Sequence, residues 1–325
     1  MAHAVHAARA ARRSPRLTNQ EGSRAQRCVI RDEVIFPDYT PGHGRAQPHK
    51  KSCCPAQALK RCPCRLRASH MTFRISTFNM QNGQPWCDVD PDGRRIDLEQ
   101  TAIFLQSLEA DVICLQEVEQ GHDGGCQIQP PPHFGRLREL LCGYEAVFAY
   151  PAINKTEIPF GLGLAIFSRH SLTGFECHHL PAAPLEFEFA GRVRQASPRL
   201  MIEARTLCAG RSLPVFNTHL QAFFMIGGSS DDHPEQRRIV ADRLREVDGG
   251  AILAGDMNCA PGESLLEEFR EAGLQTAQSH AITWRRRPYV TDHIFFKDAL
   301  ELVDARVVTT ACSDHHAVSA DFRWR

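Results

Sequence analysis

Six short runs set a carboxylate, a carboxamide or an imidazole at the edge of an apolar stretch. They are Asn79 in Thr77-Phe78-Asn79, Glu117 in Leu115-Gln116-Glu117-Val118, His219 in Asn217-Thr218-His219-Leu220, Asp256 and Asn258 in Gly255-Asp256-Met257-Asn258, Asp292 in Thr291-Asp292-His293, and Asp314 and His315 in Ser313-Asp314-His315-His316. Soluble proteins usually keep carboxylates off buried strands, so a repeated exception calls for a chemical reason. Carboxylate and amide oxygens are hard donors that suit Mg²⁺ or Mn²⁺ better than a thiolate zinc site. Imidazoles with acidic neighbours suit proton transfer near neutral pH. A hard cation with His–Asp pairs is equipment for hydrolysing a phosphate ester: the cation neutralises phosphoryl charge and a base-activated water attacks.

Each run taken singly has a plainer explanation. Asp256 and Asn258 could cap a strand by an Asx turn before Pro261, His219 could be a core imidazole, and residues 313–316 a polar turn. Trp284-Arg285-Arg286-Arg287 could grip phosphates or be a solvated basic loop, and both readings stay open. Convergence of the strand ends would decide for the site.

The elements that must position these groups are legible from residue 71 onward. Residues 71–79 alternate with period two, as a half-buried strand does. Ile96 to Leu108 has helical apolar spacing. Strands are expected at 111–118, 144–150, 162–168, 199–205, 213–220, 251–256, 289–296, 302–308 and 317–324. Helices are expected at 136–141, at 232–247 with Asp232 and Pro234 marking the start, and at 263–273 ending in Gly273. Glu235, Arg237 and Glu246 read as a solvated helix face with weak ion pairs, or Gln236 and Arg237 support the His219 loop. His122, His133, His178 and His179 fall in no such run and are assigned to surface or loops. Strands outnumber helices, many gaps are turn-length, and helices interrupt at intervals. This predicts an α/β fold: a four-layered α/β sandwich, two mixed, mostly antiparallel β-sheets packed face to face with helices on the outer faces.

The chain has 325 residues and a formal net charge of +0. Fourteen of its 38 basic residues but only four of its 38 acidic ones fall in residues 1–70, leaving about +10 there and about −10 in residues 71–325. Residues 1–70 show no persistent strand or helix period and read as a basic, disordered N-terminal extension, weakly similar to a transit peptide at 1–20. The functional chain is then expected to start near Met71. Cys53, Cys54, Cys62 and Cys64 match no zinc spacing. The odd total of 13 cysteines and the lack of an apolar leader after Met1 point to reduced thiols and a cytoplasmic protein. Cys114 and Cys259 read as small core residues. No apolar run approaches the length of a membrane span.

Taken together and in order, the six runs resemble the endonuclease/exonuclease/phosphatase superfamily, the DNase-like metal-dependent phosphohydrolases, over nearly all of residues 71–325. The resemblance implies the same four-layered sandwich and gives each residue a role. Glu117 would be the principal Mg²⁺ ligand (Mn²⁺ possible), with Asn79 beside it and Asp314 as a further ligand. Asp256 would position or deprotonate the attacking water, and Asn258 would bind phosphate. His219 would stabilise the pentacoordinate phosphorane, and Asp292 would orient His315, the second imidazole. Asp314 is badly placed to orient its immediate neighbour, because adjacent strand residues face opposite ways. Two departures stand out: Phe160 where some nuclease members carry Tyr, and Gln81 where DNA-repair members carry Asp. Both move the chain away from abasic-site endonucleases. The expected activity is a metal-dependent phosphodiesterase, most readily a nuclease acting on nucleic acid as a monomer. The alternative is a phospholipid or small-molecule phosphodiesterase or phosphatase, with the Phe-bearing segments 186–194 and 222–230 touching membrane lipid. A binding module that has lost catalysis is disfavoured, since all six runs are intact.

Overall fold

A computed structural model describes residues 72–122, 124–155 and 160–325, so the expectations for residues 1–70 lie outside the described residues. Two six-stranded sheets form its centre. The first has the order β13-β14-β1-β2-β4-β3, built from β1 (Thr72–Asn79), β2 (Val112–Glu119), β3 (Glu145–Ala149), β4 (Leu162–Ser168), β13 (Leu300–Val308) and β14 (Ala317–Trp324). The second has the order β11-β12-β10-β9-β8-β5, built from β5 (Thr173–Leu180), β8 (Arg199–Cys208), β9 (Arg211–His219), β10 (Ile252–Asp256), β11 (Leu274–Thr276) and β12 (Asp292–Lys297). Each sheet holds one parallel pair at its middle, β1 with β2 and β9 with β10, and its other pairs are antiparallel.

Period-two alternation divides the apolar residues between two sides of each sheet. Phe73, Ile75, Cys114, Leu164 and Ile166 of the first sheet share one buried cluster with Ile202, Val215, Ile252, Ala254 and Ile294 of the second. That cluster is the filling between the sheets. Phe78, Ile113, Leu115 and Phe167 point the other way, under α1 (Leu98–Ser107) and α2 (Pro132–Leu140). Phe216, Leu253 and Phe295 likewise lie under α3 (Glu235–Arg245) and α4 (Leu265–Glu271). The result is the four-layered α/β sandwich. Helix starts follow local chemistry: the Asp97 side chain accepts from the Gln100 N–H at 2.8 Å, and Pro132 opens α2 where its missing N–H costs nothing.

Four strands escape the sequence pattern. β5 and the short β11 carry no clean alternation, so His178 and His179 lie in an edge strand and not in a loop. His133 is half-buried at the start of α2. The segment expected as a Phe-bearing loop is a hairpin, β6 (Glu186–Phe189) with β7 (Arg192–Gln195), closed through Ala190 and Gly191 at φ 50° and 73°. Two positive-φ residues in a two-residue turn match the twist of the flanking strands. Among the described residues no helix is long and apolar enough to cross a membrane.

Candidate functional site

Parallel pairing fixes where the site forms. β1 and β2 run together so that Asn79 pairs with Gln116, and β9 and β10 run together so that Asp256 pairs with His219. All four strands deliver their C-terminal residues to one edge. β12 runs antiparallel to β10 and sets its first residue, Asp292, opposite Asp256. The segment between β13 and β14 supplies Asp314 and His315. The six runs therefore converge.

Glu117 reaches the site through a backbone irregularity. The β2–β4 register shifts between Gln116 and Glu119, and Glu117 has φ 51°. A bulge of this kind re-aims a side chain, and positive φ in a non-glycine residue is strain held by its surroundings. The side chain lies against Gly161, where a Cβ would stand 2.5 Å from both Glu117 Cβ and Oε2. Asn79 Nδ2 donates at 3.0 Å to Glu117 Oε1 and at 3.0 Å to Asp256 Oδ2, while its own Oδ1 accepts from the Gln81 N–H at 3.1 Å. Asn79 thus turns its NH₂ to two carboxylates, as two anions demand, and its oxygen to the backbone. Burial pushes the Glu117 carboxyl above its ordinary range, and the like charge of Asp314 adds to this. A half-buried carboxylate held by one hydrogen bond and facing further acids is a donor set that fits a hard divalent cation.

Asp292 Oδ2 lies 2.8 Å from His315 Nδ1, and His315 Nε2 lies 3.8 Å from Asp256 Oδ2 and 4.0 Å from Asp314 Oδ1. Burial opposes a charge on His315, but Asp292, Asp256 and Asp314 overcome it and hold the imidazole well above its ordinary pKa. Asp256 is raised by burial and by the charge of Asp292. Atoms of Asp256, Asp292 and His315 lie within 4.8 Å of one another, yet the imidazolium itself is the cation between these two carboxylates. His219 Nε2 stands 3.6 Å from Asp256 Oδ2. Its pKa falls well below the ordinary value through burial, then through Arg199 and His315. One imidazole is thus favoured neutral and the other charged, an arrangement that suits two different proton-transfer steps. Asn258, at φ 45°, donates its N–H to Asp256 Oδ1 at 3.0 Å and its Nδ2 to the Leu220 carbonyl at 3.0 Å. It ties Asp256 to the turn after His219.

Asp314 sits differently from the other acids. Its Oδ2 accepts from Trp284 Nε1 at 3.2 Å and pairs with Arg286 Nε at 2.5 Å. Arg286 also reaches Asp92 at 2.6 Å and stacks over Trp86 at 5.2 Å. Arg285 donates to the Thr310 carbonyl and lies over Trp86. Arg287, half-buried, lies over Phe224 and Tyr289 at 5.9 Å each.

One contributor, Arg199, has no sequence signal. Arg199 begins β8, one residue before Leu200, which pairs with His219. Its charge bears on both Glu117 and His219, and its buried Nε has no hydrogen-bond partner. Only strand register brings it to the site. Gln116 Nε2 donates to Asn217 Oδ1 at 2.7 Å, and Asn217 Nδ2 donates to the Leu115 and Ala165 carbonyls at 2.8 and 2.9 Å, which ties the two sheets together beneath the site. Gln236 accepts from the Gln221 N–H at 3.0 Å, so it does support the His219 loop.

Comparison with known proteins identifies the family and agrees with the fold. The sequence profile of the Endonuclease/Exonuclease/phosphatase family matches residues 76–315. A UPF0294 protein of Yersinia pseudotuberculosis is 26% identical over 198 residues, spanning 58% of this chain and 68% of that protein. The crystal structure of an endonuclease/exonuclease/phosphatase from Beutenbergia cavernae superposes with a TM-score of 0.56 at 22% identity, covering 78% of this chain and 72% of that one. A mannosyl-6-phosphatase of Bacteroides thetaiotaomicron gives a TM-score of 0.53 at 17% identity, covering 78% of this chain and 100% of that one.

Proposed function

Since this chain belongs to the endonuclease/exonuclease/phosphatase family of phosphoester hydrolases, we propose that it cleaves phosphodiester bonds with a hard divalent cation, Mg²⁺ or Mn²⁺, and that nucleic acid is its substrate. One observation carries the reading. Asp292, His315, Asp256, Asn79 and Glu117 form an unbroken line with successive separations of 2.8, 3.8, 3.0 and 3.0 Å. Glu117, its carboxylate held by the Asn79 NH₂, would ligate the cation, which when bound would neutralise phosphoryl charge.

The chain's own residues do the rest. Asp256, ionised, orients an attacking water and accepts its proton. His315, held as imidazolium by Asp292, donates to a phosphoryl oxygen. His219 offers a neutral N–H to the charge that develops on the phosphorane. Arg199, with its unpartnered Nε, supplies a further donor to the phosphate.

The rim favours nucleic acid over lipid. A groove of about 560 Å³ beside the Asp314 segment is lined by Trp86, Arg94, Arg95 and Gln100. Phe224, Trp284 and Tyr289 pack with ring centroids 5.3 to 6.2 Å apart under Arg287. Aromatic faces next to guanidinium groups are the means by which bases and phosphates are held, and they set local positive charge against an acidic domain. In the segments earlier considered for lipid, Phe223 and Phe187 pack into a small core with Ala196 and Ile226.

The test is the purified full chain with Mg²⁺ or Mn²⁺ against plasmid DNA, RNA, sphingomyelin and bis(p-nitrophenyl) phosphate in parallel. Cleavage of nucleic acid is expected, with Glu117→Ala and His219→Ala each losing roughly 10² or more in turnover. Turnover of sphingomyelin alone would overturn the substrate, and near-normal activity of both variants would overturn the site.

A further inference from the structure

We infer that Arg286 takes the place of a metal at Asp314, so that the site accepts a single divalent cation, at Glu117. The inference rests on the reading of Glu117 as the cation's ligand. A carboxylate at the rim of such a site is an obvious second ligand, and its type alone suggests one. The structure instead shows Asp314 already neutralised. The residue is buried, and its Oδ2 is shared by the Arg286 guanidinium at 2.5 Å and the Trp284 indole N–H at 3.2 Å.

The guanidinium is part-exposed, but it has partners besides Asp314. Its far end pairs with Asp92 at 2.6 Å, and its plane stands over Trp86 at 5.2 Å. Trp86 is itself fixed, with its N–H donating to the Ala311 carbonyl at 2.9 Å and its indole Nε1 donating to Asp88 Oδ1 at 2.5 Å. The segments on either side of the contact are also joined. The Arg285 N–H donates to the Asp314 carbonyl at 2.9 Å, and Trp284 bridges to His315. Arg286 is therefore held on Asp314 from both ends.

The remaining donor that could complete a second cation site is turned away. Gln81, neutral where the resemblance would allow an acid, uses its Oε1 to accept from the Asp314 N–H at 3.1 Å. A divalent ion at Asp314 would have to displace the Arg286 guanidinium, and the anion whose charge faces Asp314, Glu117, is already the ligand of the first cation. An oxygen set that small does not hold Mg²⁺ or Mn²⁺ against a planar, always-charged competitor.

The experiment is a Mn²⁺ titration of the full chain, with free Mn²⁺ followed by electron paramagnetic resonance and heat by calorimetry. The wild type is expected to take up a single equivalent, which Glu117→Gln abolishes. Arg286→Gln is expected to gain a second equivalent, and Asp314→Asn in that background removes it again. Arg286→Lys, which keeps the charge, stays at one. A purely structural role for Arg286 would not distinguish Lys from Gln in this count. Two equivalents in the wild type with one lost in Asp314→Asn, or no second equivalent in a folded Arg286→Gln, overturns the inference. If Arg286→Gln does not fold, the wild type against Asp314→Asn still decides it: an equivalent lost with Asp314 overturns it, and a count held at one supports it. A wild type that takes up no cation overturns the Glu117 assignment as well.

Discussion

Asp292→Asn separates the charge of Asp292 from its shape. The carboxylate lies 2.8 Å from His315 Nδ1, and both residues are buried. At an effective dielectric constant of about 20, that separation gives roughly 6 kcal/mol of attraction. Desolvation of the two ions offsets about half of it, leaving about 3 kcal/mol, or about two pK units on the imidazole. Asp256 and Asp314, at 3.8 and 4.0 Å from Nε2, remain to support the imidazolium. The variant should therefore keep a protonated His315 at low pH and lose it earlier as pH rises. The alkaline limb of the pH–rate profile is expected to move down by about two units. Turnover at neutral pH should fall by about 10²-fold or more, through the lost orientation of the ring. The fold should survive. Asp292 Oδ1 already lacks a hydrogen-bond partner, so an NH₂ placed there costs about 1 to 3 kcal/mol. Proton NMR titration of His315, read beside the pH–rate profile and a thermal melt, makes the measurement. An unmoved His315 titration, or an unmoved alkaline limb with full turnover, would refute the assignment of Asp292 as the group that charges His315.

Three further perturbations follow from the same geometry. Gly161→Ala places a methyl 2.5 Å from Glu117 Oε2, and Mn²⁺ affinity by calorimetry should weaken by about 10- to 100-fold as the carboxylate is displaced. Asn217→Ala strips hydrogen bonds from the Leu115 and Ala165 carbonyls and from Gln116 Nε2 in the core, and the urea midpoint should drop by the equivalent of about 3 kcal/mol or more with an unchanged slope. Stability should also vary with pH on both sides of the ordinary imidazole range. His219, lowered in the folded chain, leaves the unfolded state binding more protons as pH falls below about 6.5, so stability is lost on the acid side. His315, raised in the folded chain, contributes stability that is fully present below the unfolded pKa and is lost as pH rises through the folded one. Denaturant midpoints across pH should show His219→Gln flattening the acid side and His315→Gln the alkaline side.

The sequence carried the strands whose alternation is uninterrupted and whose ends bear polar residues. β1, β2, β9, β10 and β12 are the strands that build the site, and all are visible as apolar runs. β5 reads Thr-Gly-Phe-Glu-Cys-His-His-Leu, an exposed edge strand whose polar face hides its period. The β6–β7 hairpin lacks an Asn-Gly or Asp-Gly turn, and Ala190 at φ 50° is an unusual occupant. The site residues were legible because charge at a strand end is costly unless used. The partners of those residues were not. Arg286 and Asp314 are 28 positions apart, and only the folded meeting of two loops joins them. Arg199 reaches His219 through β8–β9 register, which a single sequence does not display.

Why the site holds its shape follows from where the sheets are tied. The converging groups come from both sheets: Asn79 and Glu117 from the first, His219, Asp256 and Asp292 from the second. Two sheets packed only through apolar side chains can slide against each other at little cost. Gln116, immediately before Glu117, bonds across the gap to Asn217, two residues before His219. Asn217 in turn donates to two backbone carbonyls of the first sheet. These bonds are directional and buried, so a slide of even an ångström would leave several of them unmade. One layer above, Asn79 crosses the same gap to Asp256 at 3.0 Å. The strain at Glu117 and Asn258, both at positive φ, is sustained between these ties. The amide layer thus sets the separation between Glu117 and Asp256, the carboxylates proposed to hold the cation and to activate water, and its removal should loosen their alignment before it unfolds the sandwich.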